Sequence, residues 1–170
     1  GHIPNMIFYG PSGTGKTTAA NILSKAAGKT LRKLNATSAS LSDIKDVVAD
    51  TSSLYGSDGV LLYLDEIQYF NKKQQQSLLE FIEDGRITLI ASTTENPYFY
   101  VYSAIISRSA VFEFKPLSVD ALSRAVERAR VFLSDEKGKE IVCDEDAVRL
   151  MAQSSAGDAR RAINLFENIA

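Results

Sequence analysis

Apolar positions follow two rhythms along this chain. Short runs at 5–9 (NMIFY), 31–35 (LRKLN), 60–64 (VLLYL), 87–92 (ITLIAS) and 110–114 (AVFEF) have the length of strands. Turn residues bound them, and the unbroken runs fit strands covered on both faces. Helix-like stretches lie between them. One spans 17–27 and stops at Gly28; another starts from Ser42 as N-cap and runs to about 49, with Ile44, Val47 and Val48 on one face. A third, 72–83, turns Leu78, Leu79 and Ile82 inward and stops at Gly85, and a short one is expected at 103–108. After Pro116 the rhythm changes, and only helices follow, at 119–133, 145–154 and 159–169.

Strands alternating with helices predict a parallel sheet with helices on both faces, and the tail predicts a small all-helical unit. The expected organisation is an α/β domain with a five-stranded parallel sheet over 1–115, then a helical lid over 116–170. The first run begins by residue 5, which reads as a chain cut on its N-terminal side. His2, the single histidine, reads as a solvated terminal residue without a catalytic role.

Composition narrows the classes. The 170 residues are 45% apolar and 24% charged, as in soluble globular proteins. No apolar run is long enough to span a bilayer and no signal peptide opens the chain, so membrane association is not expected. Cys143 stands alone, which fits a reducing, cytoplasmic setting. The net charge of −2 requires any nucleic-acid contact to use a local patch or a larger assembly.

The chemistry is concentrated at Gly10-Pro11-Ser12-Gly13-Thr14-Gly15-Lys16-Thr17-Thr18, a phosphate-loop (P-loop) pattern between a predicted strand and a predicted helix. Glycines let backbone N–H groups turn inward around phosphate oxygens, and the helix aims its positive end at the anion. Lys16 would reach the β- and γ-phosphates, and the Thr17 hydroxyl would ligate Mg²⁺. The run VLLYLDE ends a buried strand with Asp65-Glu66. An aspartate there can hold Mg²⁺ through its water shell, and the adjacent glutamate can polarise an attacking water. That pair points to hydrolysis. The guanine-reading Asn-Lys-x-Asp pattern is missing, since Asn71-Lys72-Lys73-Gln74 lacks the aspartate, so ATP is the expected nucleotide.

A family resemblance adds to this. The stretches LIASTTENPYFYVYSAIISRSAVFEFKPLS (89–118), NATSASLSDIK (35–45) and AGDARRAINLFE (156–167) resemble the AAA+ ATPases. Within them the chain is similar to the RarA (MgsA) group, related to the Werner-helicase-interacting ATPase and more distantly to clamp-loader subunits. The fold this implies is a P-loop αβα sandwich followed by the AAA+ lid. Thr94, with Thr93 as its neighbour, would be the first sensor of the lytic water. Arg108 would be an arginine finger reaching the nucleotide of the next subunit. Arg160, with Arg161 as runner-up, would be the second sensor, acting on ATP in its own chain.

The resemblance further implies sequence before this chain's start that contributes to the adenine pocket, with backbone near Ile3 and Pro4 lining it. It also implies a C-terminal helical region associated with tetramers, so this stretch by itself is expected to be monomeric and weakly hydrolytic. The implied role is DNA replication, recombination and repair at stalled forks, in a cytoplasmic, nucleoid-associated protein. Partners would be single-stranded DNA, ends or forks, and replication proteins. Competing readings are a clamp-loader-type ATPase acting on a protein ring, a nucleotide-sensing scaffold, and a small-molecule P-loop kinase. Tyr98, Phe99, Tyr100 and Tyr102 could stack on unpaired bases, but packing at a sheet edge or in a subunit contact is the simpler expectation. The run NKKQQQ (71–76) could offer positive charge to DNA, or be the solvated start of a helix.

Overall fold

The computed structural model describes residues 3–54 and 60–169. His2 lies outside them. Contacts divide the chain into two compact units. One comprises the described parts of Gly1–Gly10 and Lys16–Glu113, and the other Pro11–Gly15 with the described part of Phe114–Ala170.

The first unit is a five-stranded sheet of β1 (Asn5–Tyr9), β2 (Leu31–Asn35), β3 (Val60–Asp65), β4 (Ile87–Thr93) and β5 (Ser109–Glu113), in the order β2-β3-β4-β1-β5. Every pairing is parallel. Helices α1 (Lys16–Ala26), α2 (Leu41–Leu54) and α3 (Lys72–Glu83) supply the crossovers. The central strands explain the unbroken apolar runs. Leu61, Leu62, Leu64, Leu89, Ile90 and Ala91 are fully buried because both sheet faces are covered.

Several boundaries differ from the sequence expectation. Helix α2 starts at Leu41, one residue before Ser42. Ser40, just before it, and Asp43, in its first turn, exchange hydrogen bonds, with the Ser40 amide donating to Asp43 at 2.6 Å, so the local cap begins two residues early. A helix not anticipated, α4 (Pro97–Tyr100), follows β4, because Asn96 accepts the Tyr98 amide and Pro97 opens the first turn. The next helix, α5 (Ser103–Ile106), ends two residues early, as its last carbonyls are taken by Ser107 and Arg108 amides.

The run at 71–76 is not simply a solvated helix start. Asn71 and Gln74 form a reciprocal capping box. Gln75 is buried, and its amide bonds the Phe70 and Tyr100 carbonyls and the Tyr102 amide. The aromatic segment is corrected too. Tyr98, Phe99 and Tyr100 do not pack on a sheet edge but stand exposed on α4, Phe99 at 81%. Only Tyr102 is half-buried, beneath the Lys72 ammonium.

The second unit holds α6 (Val119–Lys137), α7 (Glu145–Ser154) and α8 (Ala159–Glu167) around Leu122, Val126, Val148, Met151, Ala162 and Phe166. Ser118 caps α6 and Asp158 caps α8. Gly157 has φ +88, and a Cβ there would stand 2.5 Å from the Pro116 side chain, so only glycine fits this entry to α8. Among the described residues no helix is long and apolar enough to cross a membrane.

Candidate nucleotide-binding site

All five strands run the same way, so β1, β3 and β4 deliver Gly10, Asp65-Glu66 and Thr93-Thr94 to one edge of the sheet. Loops at the carboxyl ends of parallel strands are where α/β folds bind ligands. The phosphate loop leaves β1 there. Gly10, Gly13 and Gly15 have φ of 139, 68 and 97, values that let the backbone curl with its N–H groups inward. Thr14 is buried and closes the loop by donating to the Pro11 carbonyl at 2.8 Å, while Pro11 and Ser12 are exposed.

Lys16 opens α1. It is buried, and its Nζ donates to the Gly10 carbonyl at 2.7 Å, so the ammonium stays beside the base of the loop. Thr17 follows half-buried and Thr18 is exposed. The Thr17 hydroxyl lies 2.9 Å from the Tyr63 hydroxyl, which donates to Asp65 Oδ1 at 3.3 Å. Ser92, fully buried on β4, also donates to Asp65 Oδ1. One tyrosine hydroxyl therefore bridges the threonine and the aspartate expected to share a metal.

Burial pushes the Tyr63 phenol above the usual tyrosine range. Hydrogen bonds to Ser92 and Thr17 oppose the rise, and the Asp65 charge adds to it. The phenol therefore stays a neutral donor to Asp65. With its pKa raised on folding, the stability Tyr63 contributes is complete below about pH 10 and lost as pH rises through the folded value. Tyr63→Phe should flatten the alkaline fall in stability, measured by urea unfolding from about pH 9 to 11.

These residues suit a hydrated divalent cation. Among the described residues no cluster of three or more His, Cys, Asp or Glu could hold a metal unaided. A hydroxyl and one carboxylate match Mg²⁺, which keeps waters and takes phosphate oxygens as its other ligands.

Glu66 stands in the left-handed region at φ 56, ψ 47, an uncommon place for a non-glycine residue. It begins a 3-10 turn, Ile67–Tyr69, and its carboxylate accepts a hydrogen bond from Gln68 Nε2 at 2.6 Å. Thr93 is fully buried at the end of β4; its carbonyl accepts the Gly10 amide and its hydroxyl accepts the Glu95 amide. Thr94, one residue past the strand, is exposed.

Arg108 lies elsewhere. It precedes β5, whose first residue pairs with Asn5, at the opposite end of β1 from Gly10. At about 3.3 Å per residue, the length of β1 puts it roughly 16 Å from the base of the loop. It pairs with Glu83 at 2.7 Å and donates to the Ala104 carbonyl. Arg160 stands exposed on the first turn of α8, as does Arg161.

Within the second unit, loop and α8 touch directly. The Ala159 amide donates to the Gly13 carbonyl at 3.0 Å, and a Cβ on Gly13 would fall 1.7 Å from Asp158 Oδ1. Gly13→Ala would thus force a left-handed alanine, costing about 1–2 kcal/mol. It would also displace the Asp158 cap of α8, for about 0.5–2 kcal/mol more. Thermal unfolding should show a Tm several degrees below wild type.

The family model of the AAA group, the ATPase family associated with various cellular activities, matches residues 6–117. The chain belongs to this AAA family of ATPases. It is 35% identical to Replication-associated recombination protein A of Escherichia coli (strain K12), over 100% of this chain and 38% of that protein. It is 38% identical to the Bacillus subtilis protein of that name, over 98% of this chain and 39% of the relative. It is 37% identical to ATPase WRNIP1 of Dictyostelium discoideum, over 97% and 19%. The chain thus spans less than two-fifths of the length of these relatives. Among solved structures, the Holliday junction branch migration motor RuvB of Thermotoga maritima superposes with a TM-score of 0.80 at 23% identity, over 98% of this chain and 54% of that one. That likeness concerns the fold: an α/β P-loop sheet with a helical C-terminal part.

Three residues that contact this candidate site escaped the sequence expectation: Tyr63, Ser92 and Gln68. Tyr63 had a signal, because it lies two before Asp65 on one strand and so projects from the same face. Ser92 is a polar residue in a buried run, and the Leu64–Ala91 register puts it beside Asp65. Gln68 had none, since its approach to Glu66 depends on the left-handed backbone between β3 and the turn.

Proposed function

We propose that this chain is the Mg²⁺-dependent ATP-hydrolysing module of a replication, recombination and repair protein acting at stalled forks. Residues 1–115 would bind the nucleotide and 116–170 form the lid. The observation that carries the reading is the constellation of Lys16, Thr17, Asp65 and Glu66 at one sheet edge, with Tyr63 joining Thr17 to Asp65. Backbone of residues 10–15, with Lys16, Thr17 and Thr18, would hold the phosphates. Bound Mg²⁺ would supply charge neutralisation, with Thr17 and Asp65 as its protein-side holders. Glu66 would orient the attacking water and take its proton.

Thr94 is assigned to the first sensor and Arg160 to the second, both by resemblance. For Arg108 the geometry offers support of its own. Its place at the opposite end of β1 from Gly10 fits action on a neighbour's nucleotide, which calls for a homo-oligomer in the full-length protein. DNA with single-stranded, end or fork character, and replication proteins, are the proposed partners of a cytoplasmic, nucleoid-associated assembly. The relatives' names support this role.

The test is ATP turnover by the full-length protein with and without single-stranded and forked DNA. Stimulation by DNA that is lost in Glu66→Gln supports a DNA-coupled ATPase. Turnover indifferent to DNA overturns that coupling and favours a protein substrate, and no turnover favours nucleotide sensing.

A further inference from the structure

The turn after β3 contains an arrangement that packing does not explain. Gln68 gives its Nε2–H to Glu66 Oε2 at 2.6 Å, and its own Oε1 is buried. Among the described residues, that oxygen is the one buried side-chain polar atom without a hydrogen-bond partner. Buried acceptors are nearly always paired, so an unpaired one calls for a reason. The carboxylate supplies it. An amide facing an ionised carboxylate must present its N–H, because exchanging the two amide atoms would set acceptor against acceptor. Gln68 therefore leaves its oxygen unsatisfied in order to keep its N–H on Glu66.

The backbone around this contact is fixed independently. Glu66 is left-handed, Ile67 is fully buried, and the Tyr69 amide donates to the Glu66 carbonyl at 3.0 Å. The freedom that remains is in the Glu66 side chain. Gln68 engages one carboxylate oxygen, Oε2, and leaves Oε1 of Glu66 to receive a proton. A left-handed Glu66 and an unsatisfied Gln68 oxygen, two residues apart in one turn, point to a geometry kept for function.

We propose that Gln68 is a positioning residue for hydrolysis, anchoring the Glu66 carboxylate so that one oxygen faces the attacking water. The inference rests on Glu66 being the water-orienting group. It assigns Gln68 to turnover and not to nucleotide affinity.

The experiment compares Gln68→Leu, which removes the N–H at similar volume, with Gln68→His, which restores an N–H at similar reach. Both are made in the full-length protein, in wild-type and Glu66→Gln backgrounds. Gln68→Leu should lower kcat about tenfold, with KM and the Kd of a non-hydrolysable ATP analogue within about twofold. Gln68→His should recover most of the loss. In the Glu66→Gln background, Gln68→Leu should have no further effect, because it acts through that side chain. If Gln68→Leu does not fold, Gln68→Met repeats the test.

Unchanged kcat in Gln68→Leu, a proportional change in affinity, or an undiminished effect in the Glu66→Gln background overturns the proposal. If Glu66→Gln turns over like wild type, the reading of Glu66 itself fails. If Glu66→Gln is inactive while Gln68→Leu matches wild type, only the assignment of Gln68 fails.

Discussion

Replacing Glu66 with glutamine should lower kcat for ATP hydrolysis by about 10²- to 10⁴-fold, the usual contribution of a positioned base. Nucleotide affinity should stay within about twofold, because the change removes an interaction made as the water is activated. The structure gives the reason for this separation. Glu66 is placed by its own left-handed backbone and by Gln68, whereas Lys16 and Thr17 belong to the start of α1. Glutamine keeps the shape of the side chain and loses the basic oxygen. Single-turnover phosphate release, measured beside equilibrium binding of a fluorescent ATP analogue, separates the two effects. Equal losses in both would mean that Glu66 supports the binding site instead of the reaction.

Lys16→Ala should do the reverse and weaken nucleotide binding by about 10- to 100-fold, the worth of a charge-assisted hydrogen bond in a partly desolvated site. The ammonium is already buried beside the Gly10 carbonyl, so it meets an incoming phosphate with little reorganisation. Alanine is a good helix former and should leave α1 intact. Circular dichroism and the unfolding midpoint check that point, and titration with an ATP analogue reads the affinity. Wild-type affinity in a folded Lys16→Ala protein would remove the lysine from the phosphate site.

Much of the fold was legible because its causes are local. The run VLLYL is apolar throughout, as a strand covered on both faces must be, and β3 forms there. The glycines of the loop announce positive φ, and Gly10, Gly13 and Gly15 adopt it. What escaped depends on longer contacts. Residues 97–100 become a helix through Asn96 and Pro97, but Gln75, more than twenty residues earlier in sequence, fixes the segment by bonding Tyr100 and Tyr102. The same tie leaves Tyr98, Phe99 and Tyr100 facing outward, against the expectation of packing at a sheet edge. Periodicity could not show this, because four residues are too few to define a face.

The site divides in the same way. Lys16, Thr17, Asp65 and Glu66 were readable because each motif lies on one turn or one strand end. Ser92 was not, since it meets Asp65 across two strands. The ion pair of Arg108 with Glu83 likewise joins the end of α3 to the approach of β5, so no local pattern announces it.

The most direct test of the account is phosphate release from ATP by the wild-type full-length protein, measured with Mg²⁺ and again with excess EDTA. Turnover in Mg²⁺ that disappears on chelation is the predicted result, because Thr17 and Asp65 are proposed to hold the cation. Absence of turnover under both conditions, or turnover that chelation leaves unchanged, would contradict it.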